Sequence, residues 1–179
     1  MNYFLKRFLI QLTIMEKTIL GEDLEICRIL NGMWQVAGGH GQIDSQLAIQ
    51  DMEKYQKLGF TTWDLADIYG PAESLIGDFN KKDKYNFQAF TKFVPNPGPM
   101  SNSIVTYYIE ESLKKMNVKC IDLLQFHWWD YQDSSYLDAL QHLSKLQNEG
   151  KIKHLGLTNF DTERIKIIIE KGFKIISNQ

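Results

Sequence analysis

The sequence predicts an α/β fold in which repeated βα units surround a parallel sheet, and three observations predict it. Short β-prone runs alternate with longer helical patterns from Lys17 to the last residue. Capping residues open the helical stretches, and Gly59, Gly150 and Gly172 close three of them. Polar residues gather at the C-terminal ends of the β-prone runs, whose bodies are apolar.

Residues 1–16 precede the pattern and read as an N-terminal extension, leaving 17–179 as one domain. The extension mixes aromatic and aliphatic residues with Lys6 and Arg7, and its uncharged stretch is too short to span a bilayer. No small-residue cleavage site follows, and the Arg/Ser bias of a transit peptide is missing. The expectation is therefore a cytoplasmic protein without a membrane anchor.

The domain opens on a hairpin, KTIL and EICR, turned by Gly21-Glu22-Asp23. A first strand spans Ile29 to Met33. Asp44 or Ser45 then caps a helix that runs to Gly59 and carries Leu47, Met52, Tyr55 and Leu58 at helical spacing. A second strand, Phe60 to Asp64, follows. Pro71 and Ala72 open a helix with Leu75, Ile76 and Phe79 on one face. A third strand, Phe87 to Lys92, leads through a loop with Pro95, Pro97, Gly98 and Pro99 to a helix from Ser103 to Met116. A fourth strand is Ile121 to His127, a helix follows from Ser135 to Glu149, and a fifth strand is His154 to Leu157. Asp161 or Thr162 caps the last helix, which reaches Lys171, and Lys174 to Ser177 begins a sixth strand. Such a series fits either an open doubly wound sheet or a closed eight-stranded barrel, and periodicity does not separate them.

Composition excludes several classes. Net charge is −2 and no basic run stands out, which argues against nucleic acid as a partner. Cys27 and Cys120 are too few and too isolated for a disulfide framework or a Cys-x-x-Cys metal site, so no metal is expected. Gly38, Gly39 and Gly41 follow a strand and imitate a dinucleotide-binding fingerprint, but its third glycine is absent. They read as a loop over the sheet's C-terminal edge.

Four residues at or just beyond strand ends carry the chemistry: Asp64, Tyr69, Lys92 and His127. In a parallel barrel such ends converge on one mouth. The set suits carbonyl reduction. A phenol is a poor acid at neutral pH, a neighbouring ammonium lowers its pKa, and a carboxylate holds that ammonium in place. A histidine within hydrogen-bond reach orients the carbonyl. Taken singly, Asp64 reads as a turn or cap residue, Tyr69 as packing over Gly70-Pro71, Lys92 as a strand-end charge and His127 as a core histidine. Four such accidents at consecutive strand ends are a poorer account than one site.

The segments NGMWQ, DLADIYGPAE, TKFVP, IDLLQFHWWD, GKIKHLGLTNF and ISNQ, in this order, resemble those of the aldo-keto reductase superfamily. The resemblance covers nearly everything after Lys17. It implies a TIM-type (β/α)8 barrel that uses NADP(H), with NAD(H) as the alternative, to reduce the carbonyl of an aldehyde or ketone. By motif, Tyr69 would be the general acid, Lys92 would tune it, Asp64 would pair with Lys92, and His127 would orient the substrate. Thr158, Asn159 and Gln179 would hold the nicotinamide carboxamide, Trp34 and Trp128 would line the substrate pocket, and the hairpin would plug the barrel floor.

A barrel of this kind needs about 250 residues, whereas this sequence supplies about six parallel strands. The expectation is an incomplete barrel, truncated before it closes, in which no residue can be assigned to the pyrophosphate and adenosine subsites. Open edges of that kind invite self-association. Besides the reductase, the sequence leaves a catalytically impaired binding or regulatory module as a competing reading.

Overall fold

The computed structural model describes residues 15–179 apart from 40, 42 and 83, so residues 1–14, the bulk of the expected extension, lie outside the described residues. The first described elements are β1 (Lys17–Leu20) and β2 (Leu24–Cys27), an antiparallel hairpin. Gly21 turns it at φ 65°, a left-handed conformation that glycine adopts without cost.

Five parallel strands follow: β3 (Asn31–Gly32), β4 (Thr62–Asp64), β5 (Gln88–Phe93), β6 (Ile121–His127) and β7 (Ile152–Thr158). They lie side by side in chain order. A doubly wound sheet reverses its order at a switch point. An unreversed order means that every crossover winds the same way, as in a barrel wall, and this resolves the choice the sequence left open. The crossovers are helices α1 (Ser45–Lys57), α2 (Ala72–Asn80), α3 (Asn102–Met116) and α4 (Tyr136–Asn148), and α5 (Thr162–Glu170) follows β7.

Local chemistry explains the helix ends. The Asp44 carboxylate accepts hydrogen bonds from the backbone N–H groups of Gln46 and Leu47 at 2.8 and 3.1 Å. Asp161 accepts from the N–H of Arg164 at 2.8 Å. At both positions where the sequence offered two caps, the aspartate is the one used. Ser101 caps α3 through the N–H of Ile104, slightly before the expected start, and Asn117 ends that helix at φ 53°.

Alternation along the strands builds two cores. Trp63, Ala89, Phe93, Leu124, Phe126, Leu155 and Leu157 face outward and pack with the helices. Phe90 and Leu123 face inward and pack on Leu24 and Ile26 of the hairpin, which closes the floor as expected. Each fully buried Leu or Phe contributes roughly 1.5–3 kcal/mol, so the two layers together hold the wall in register. The same alternation points Lys92, Gln125 and His127 inward.

The fourth strand matches its expected bounds; the third is shifted by one residue to Gln88–Phe93, the fifth is longer than expected, Ile152–Thr158, and the first, second and sixth differ more. The first is only Asn31–Gly32, because β3 is an edge with a partner on one side, and Ile29 before it is exposed. The second begins at Thr62 rather than Phe60, after the positive-φ Gly59. The sixth is a backbone run beside β7 that extends to Gln179. There Ile176 N donates to Leu155 O and Gln179 N to Leu157 O, both at 2.9 Å, with one parallel bridge, Leu157 to Asn178. Among the described residues nothing pairs with its outer side. Among the described residues no helix is long and apolar enough to cross a membrane.

Candidate active site

The strand register brings the polar residues together. Lys92 is paired with Gln125, and His127 with Thr158, so these four share neighbouring rungs on the inner face near the strands' C-terminal ends. Asp64 ends β4 one strand away, and Tyr69 stands in the loop between β4 and α2.

Lys92 is 4% exposed, an environment that a lysine tolerates only when paired. Its Nζ donates to Asp64 Oδ1 and Oδ2 at 2.9 and 2.8 Å and to the Leu65 carbonyl at 2.8 Å. An ammonium has three N–H donors, and all three are occupied. None remains for the Tyr69 hydroxyl, so the contact between Lys92 and Tyr69 runs through the ring face, with Nζ 5.1 Å from its centroid.

This geometry alters one expectation. The Tyr69 pKa is not lowered on balance. Burial first, and then the Asp64 charge, push the phenol above its ordinary value. The hydroxyl is therefore held protonated at neutral pH, which suits a proton donor. Trp34, half exposed, meets the Tyr69 ring edge-on at 5.0 Å and fixes its tilt from the mouth side.

The Asp64 carboxylate takes two further donors. Gln125 Nε2 donates to Oδ1 at 2.9 Å, and Gln179 Nε2 donates to Oδ2 at 3.2 Å. Gln125 is not among the residues expected from the sequence. Its signal was present, since a lone amide inside IDLLQF lies two residues before His127 and so on the same side of the strand.

His127 is buried, and its pKa is lowered by burial and then by the Lys92 charge, so the imidazole is neutral at pH 7. Its Nε2 stands 2.9 Å from Asn159 Nδ2; with that amide donating, the imidazole carries its proton on Nδ1. Asn159 itself adopts φ 65°, which turns its side chain back over the strand end. Trp129 lies over the imidazole with ring centroids 4.0 Å apart.

Trp128 is not at the mouth. It is 1% exposed, packs against Phe126, and donates through Nε1 to the Asp130 and Asp133 carbonyls at 2.7 and 3.1 Å. The reason is the strand period: if His127 faces inward, its neighbour faces the helices. The tryptophan at the mouth is Trp129, which is 58% exposed.

Of the three residues expected at a nicotinamide, Thr158 is buried beside His127, and its Oγ1 has no hydrogen-bond partner among the described residues. Asn159 is engaged with His127, and Gln179 with Asp64. The structure thus brings Asp64, Tyr69, Lys92, His127, Thr158, Asn159 and Gln179 to one mouth, with Trp34 at its rim. Among the described residues no cluster of His, Cys, Asp and Glu could hold a metal ion.

Residues 28–179 match the model of the "Aldo/keto reductase family". A 6-dehydroglucose reductase of Agrobacterium fabrum is 30% identical over 167 residues, which is 82% of this chain and 54% of that protein. An NADH-specific methylglyoxal reductase of Escherichia coli is 24% identical over 88% of this chain and 56% of its own length. Among solved structures, a Bombyx mori aldo-keto reductase in complex with NADP superposes with a TM-score of 0.77 at 19% identity, over 93% of this chain and 58% of that one. The chain spans about half the length of the relatives it matches.

Proposed function

The chain belongs to the aldo/keto reductase family, and from that premise we propose that its mouth reduces the carbonyl of a small aldehyde or ketone to an alcohol, with Tyr69 as the general acid. The observation that carries the reading is the buried Asp64–Lys92 pair beneath the Tyr69 ring. A paired, buried ammonium is a fixed positive charge in a site of low polarity, where it acts on developing negative charge far more strongly than in water.

In this reading the Tyr69 hydroxyl gives its proton to the carbonyl oxygen. Lys92, fixed by Asp64, stabilises the negative charge that appears on the phenol. Once Asn159 releases Nε2, the neutral His127 imidazole carries its proton there, donates a hydrogen bond to the same carbonyl oxygen and aims it at Tyr69. Trp34 and Trp129 supply an aromatic rim against which an apolar or sugar-like substituent packs.

A reduced nicotinamide cofactor supplies the hydride. The residues present fit its carboxamide: Thr158 Oγ1, buried and without a hydrogen-bond partner among the described residues, could accept from an amide N–H. Asn159 and Gln179 would complete that contact once released from His127 and Asp64. Relatives are named for NADP and for NADH, and we propose NADP(H) here, with NAD(H) as the alternative. A lower-ranked proposal is self-association through the unpaired edge of β3, beside which Ile29, Leu47 and Tyr55 are exposed; sedimentation velocity on the purified chain tests it, and a monomer at all concentrations removes it.

The test of the function is turnover with and without the acid. NADPH and NADH are titrated by fluorescence, and aldehyde reduction is followed by loss of the reduced nicotinamide's absorbance. Tyr69→Phe should lower the rate by roughly 10²–10⁴-fold and leave cofactor binding nearly unchanged. Turnover that survives this change would remove Tyr69 from the acid's role.

A further inference from the structure

Gln125 is a member of the inner polar layer that the proposed chemistry does not use. It is 4% exposed, lies in register with Lys92, and donates to Asp64 Oδ1 at 2.9 Å across the width of two strands. A buried amide costs free energy unless its hydrogen bonds are made. Its neighbour across the β6–β7 rung is Gly156, where an added β-carbon would lie at ordinary contact distance, 3.5 Å, from Gln125 Cγ but 2.3 Å from Ser177 Oγ.

We propose that Gln125 is a positioning residue of this site, whose amide fixes the Asp64 carboxylate and through it the Lys92 ammonium beneath Tyr69. The inference rests on the proposed role of Tyr69 and extends it by one link. With Lys92 donating to both Asp64 oxygens, a carboxylate held only by that ion pair can pivot about its side-chain bonds. The Gln125 hydrogen bond, on a β6 strand paired on both sides, removes that freedom. It also places a donor dipole on Oδ1, which offsets part of the carboxylate's negative field at the Tyr69 hydroxyl. The charged or titratable groups that face the phenol are Asp64 from β4, Lys92 from β5 and His127 from β6; the rim residue Trp34 and the amide of Gln179 carry no charge.

Removing the amide should leave the Asp64 charge less compensated, and the phenol correspondingly harder to ionise. The experiment is a pH titration of the intact chain labelled with carbon-13 at tyrosine Cζ, with the Tyr69 signal assigned by its loss in Tyr69→Phe. In Gln125→Met, which keeps length and apolar bulk, the Tyr69 midpoint should rise by about half a unit or more while the other tyrosines stay in place. Gln125→Asn, whose amide is one carbon too short to reach Asp64, should raise it in the same direction and serves if the methionine variant fails to fold. A midpoint unchanged or lowered in both variants would overturn the proposal. This readout needs no turnover, so it stands apart from the Tyr69→Phe rate experiment. Loss of rate in Tyr69→Phe with no shift in Gln125→Met would keep the acid and dismiss the positioning residue. Where turnover is measurable, Gln125→Met should lower kcat about tenfold with the KM of the cofactor unchanged, because the amide touches neither ligand.

Discussion

The Lys92 ammonium meets both oxygens of Asp64 at 2.9 and 2.8 Å while the lysine side chain is 5% exposed and the aspartate 14%. Removing one partner of a buried pair leaves the other charge uncompensated, which typically costs 3–5 kcal/mol. Here Gln125 and Gln179 still donate to Asp64, so Lys92→Met should fall at the lower end, about 3 kcal/mol in urea unfolding. Lys92→Met combined with Asp64→Leu should recover part of that stability without recovering any turnover. A double variant no more stable than Lys92→Met alone would mean that the loss is one of packing.

How much of this was legible in the sequence follows from which physical rule each residue obeys. Asp64, Tyr69, Lys92 and His127 stand at strand ends that parallel winding must bring together, and they are together. Gln125, Trp128 and Trp129 obey the two-residue period instead, and applying that period outward from His127 assigns each to its side of the wall. The direction of the Tyr69 shift was not legible. It depends first on how deeply the phenol is buried and then on how near Asp64 stands, both of which only the folded turn after β4 sets. The shortness of β3 depends likewise on what lies beside it.

His127 should make the protein sensitive to acid. Burial, then the Lys92 charge, keep its pKa below 6.5, so as pH falls the unfolded chain takes up a proton that the folded site resists. A depressed folded value contributes stability that is complete above the unfolded pKa of about 6.5 and is lost as pH falls below it. His127→Gln should flatten that part of the curve, measured as melting temperature from neutral to mildly acid pH. An unchanged slope would place the acid sensitivity elsewhere.

Asp67 should act with the opposite sign. Its Oδ2 accepts from Val94 N at 3.1 Å, and its own N–H donates to the Lys92 carbonyl at 3.0 Å, so it clamps the Tyr69 loop to the end of β5. Burial, with a further push from the Glu73 charge, raises its pKa from 3.8 to about 6, against the Val94 N–H. Between those values the folded chain holds a proton that the unfolded chain releases. The associated stability is complete below 3.8 and is lost as pH rises through about 6. Asp67→Asn keeps an acceptor for Val94 and carries no charge, so it should melt above the wild type at neutral pH. Equal or lower stability of Asp67→Asn at neutral pH would show that the ionised carboxylate is well tolerated.

Gly77 lies within α2, where that helix crosses α3, and a β-carbon there would lie 2.0 Å from the Lys115 carbonyl oxygen. Alanine is favoured over glycine in a helix by about 1 kcal/mol, so propensity alone predicts a gain. The obstacle is backbone, which no rotamer change relieves, and overpacking of this kind costs typically 1–3 kcal/mol. At 2.0 Å the cost should fall in the upper part of that range and outweigh the propensity gain, leaving Gly77→Ala destabilised by about 1–2 kcal/mol in denaturant unfolding. Because α2 follows directly on the Tyr69 loop, the helix shift that relieves the clash should also displace the phenol and lower turnover. Gly39→Ala is the control, since its added carbon has no described atom within 4 Å and should leave stability unchanged. A Gly77→Ala chain more stable than the wild type would mean that the α2–α3 contact opens without cost and that the close crossing does not hold the Tyr69 loop.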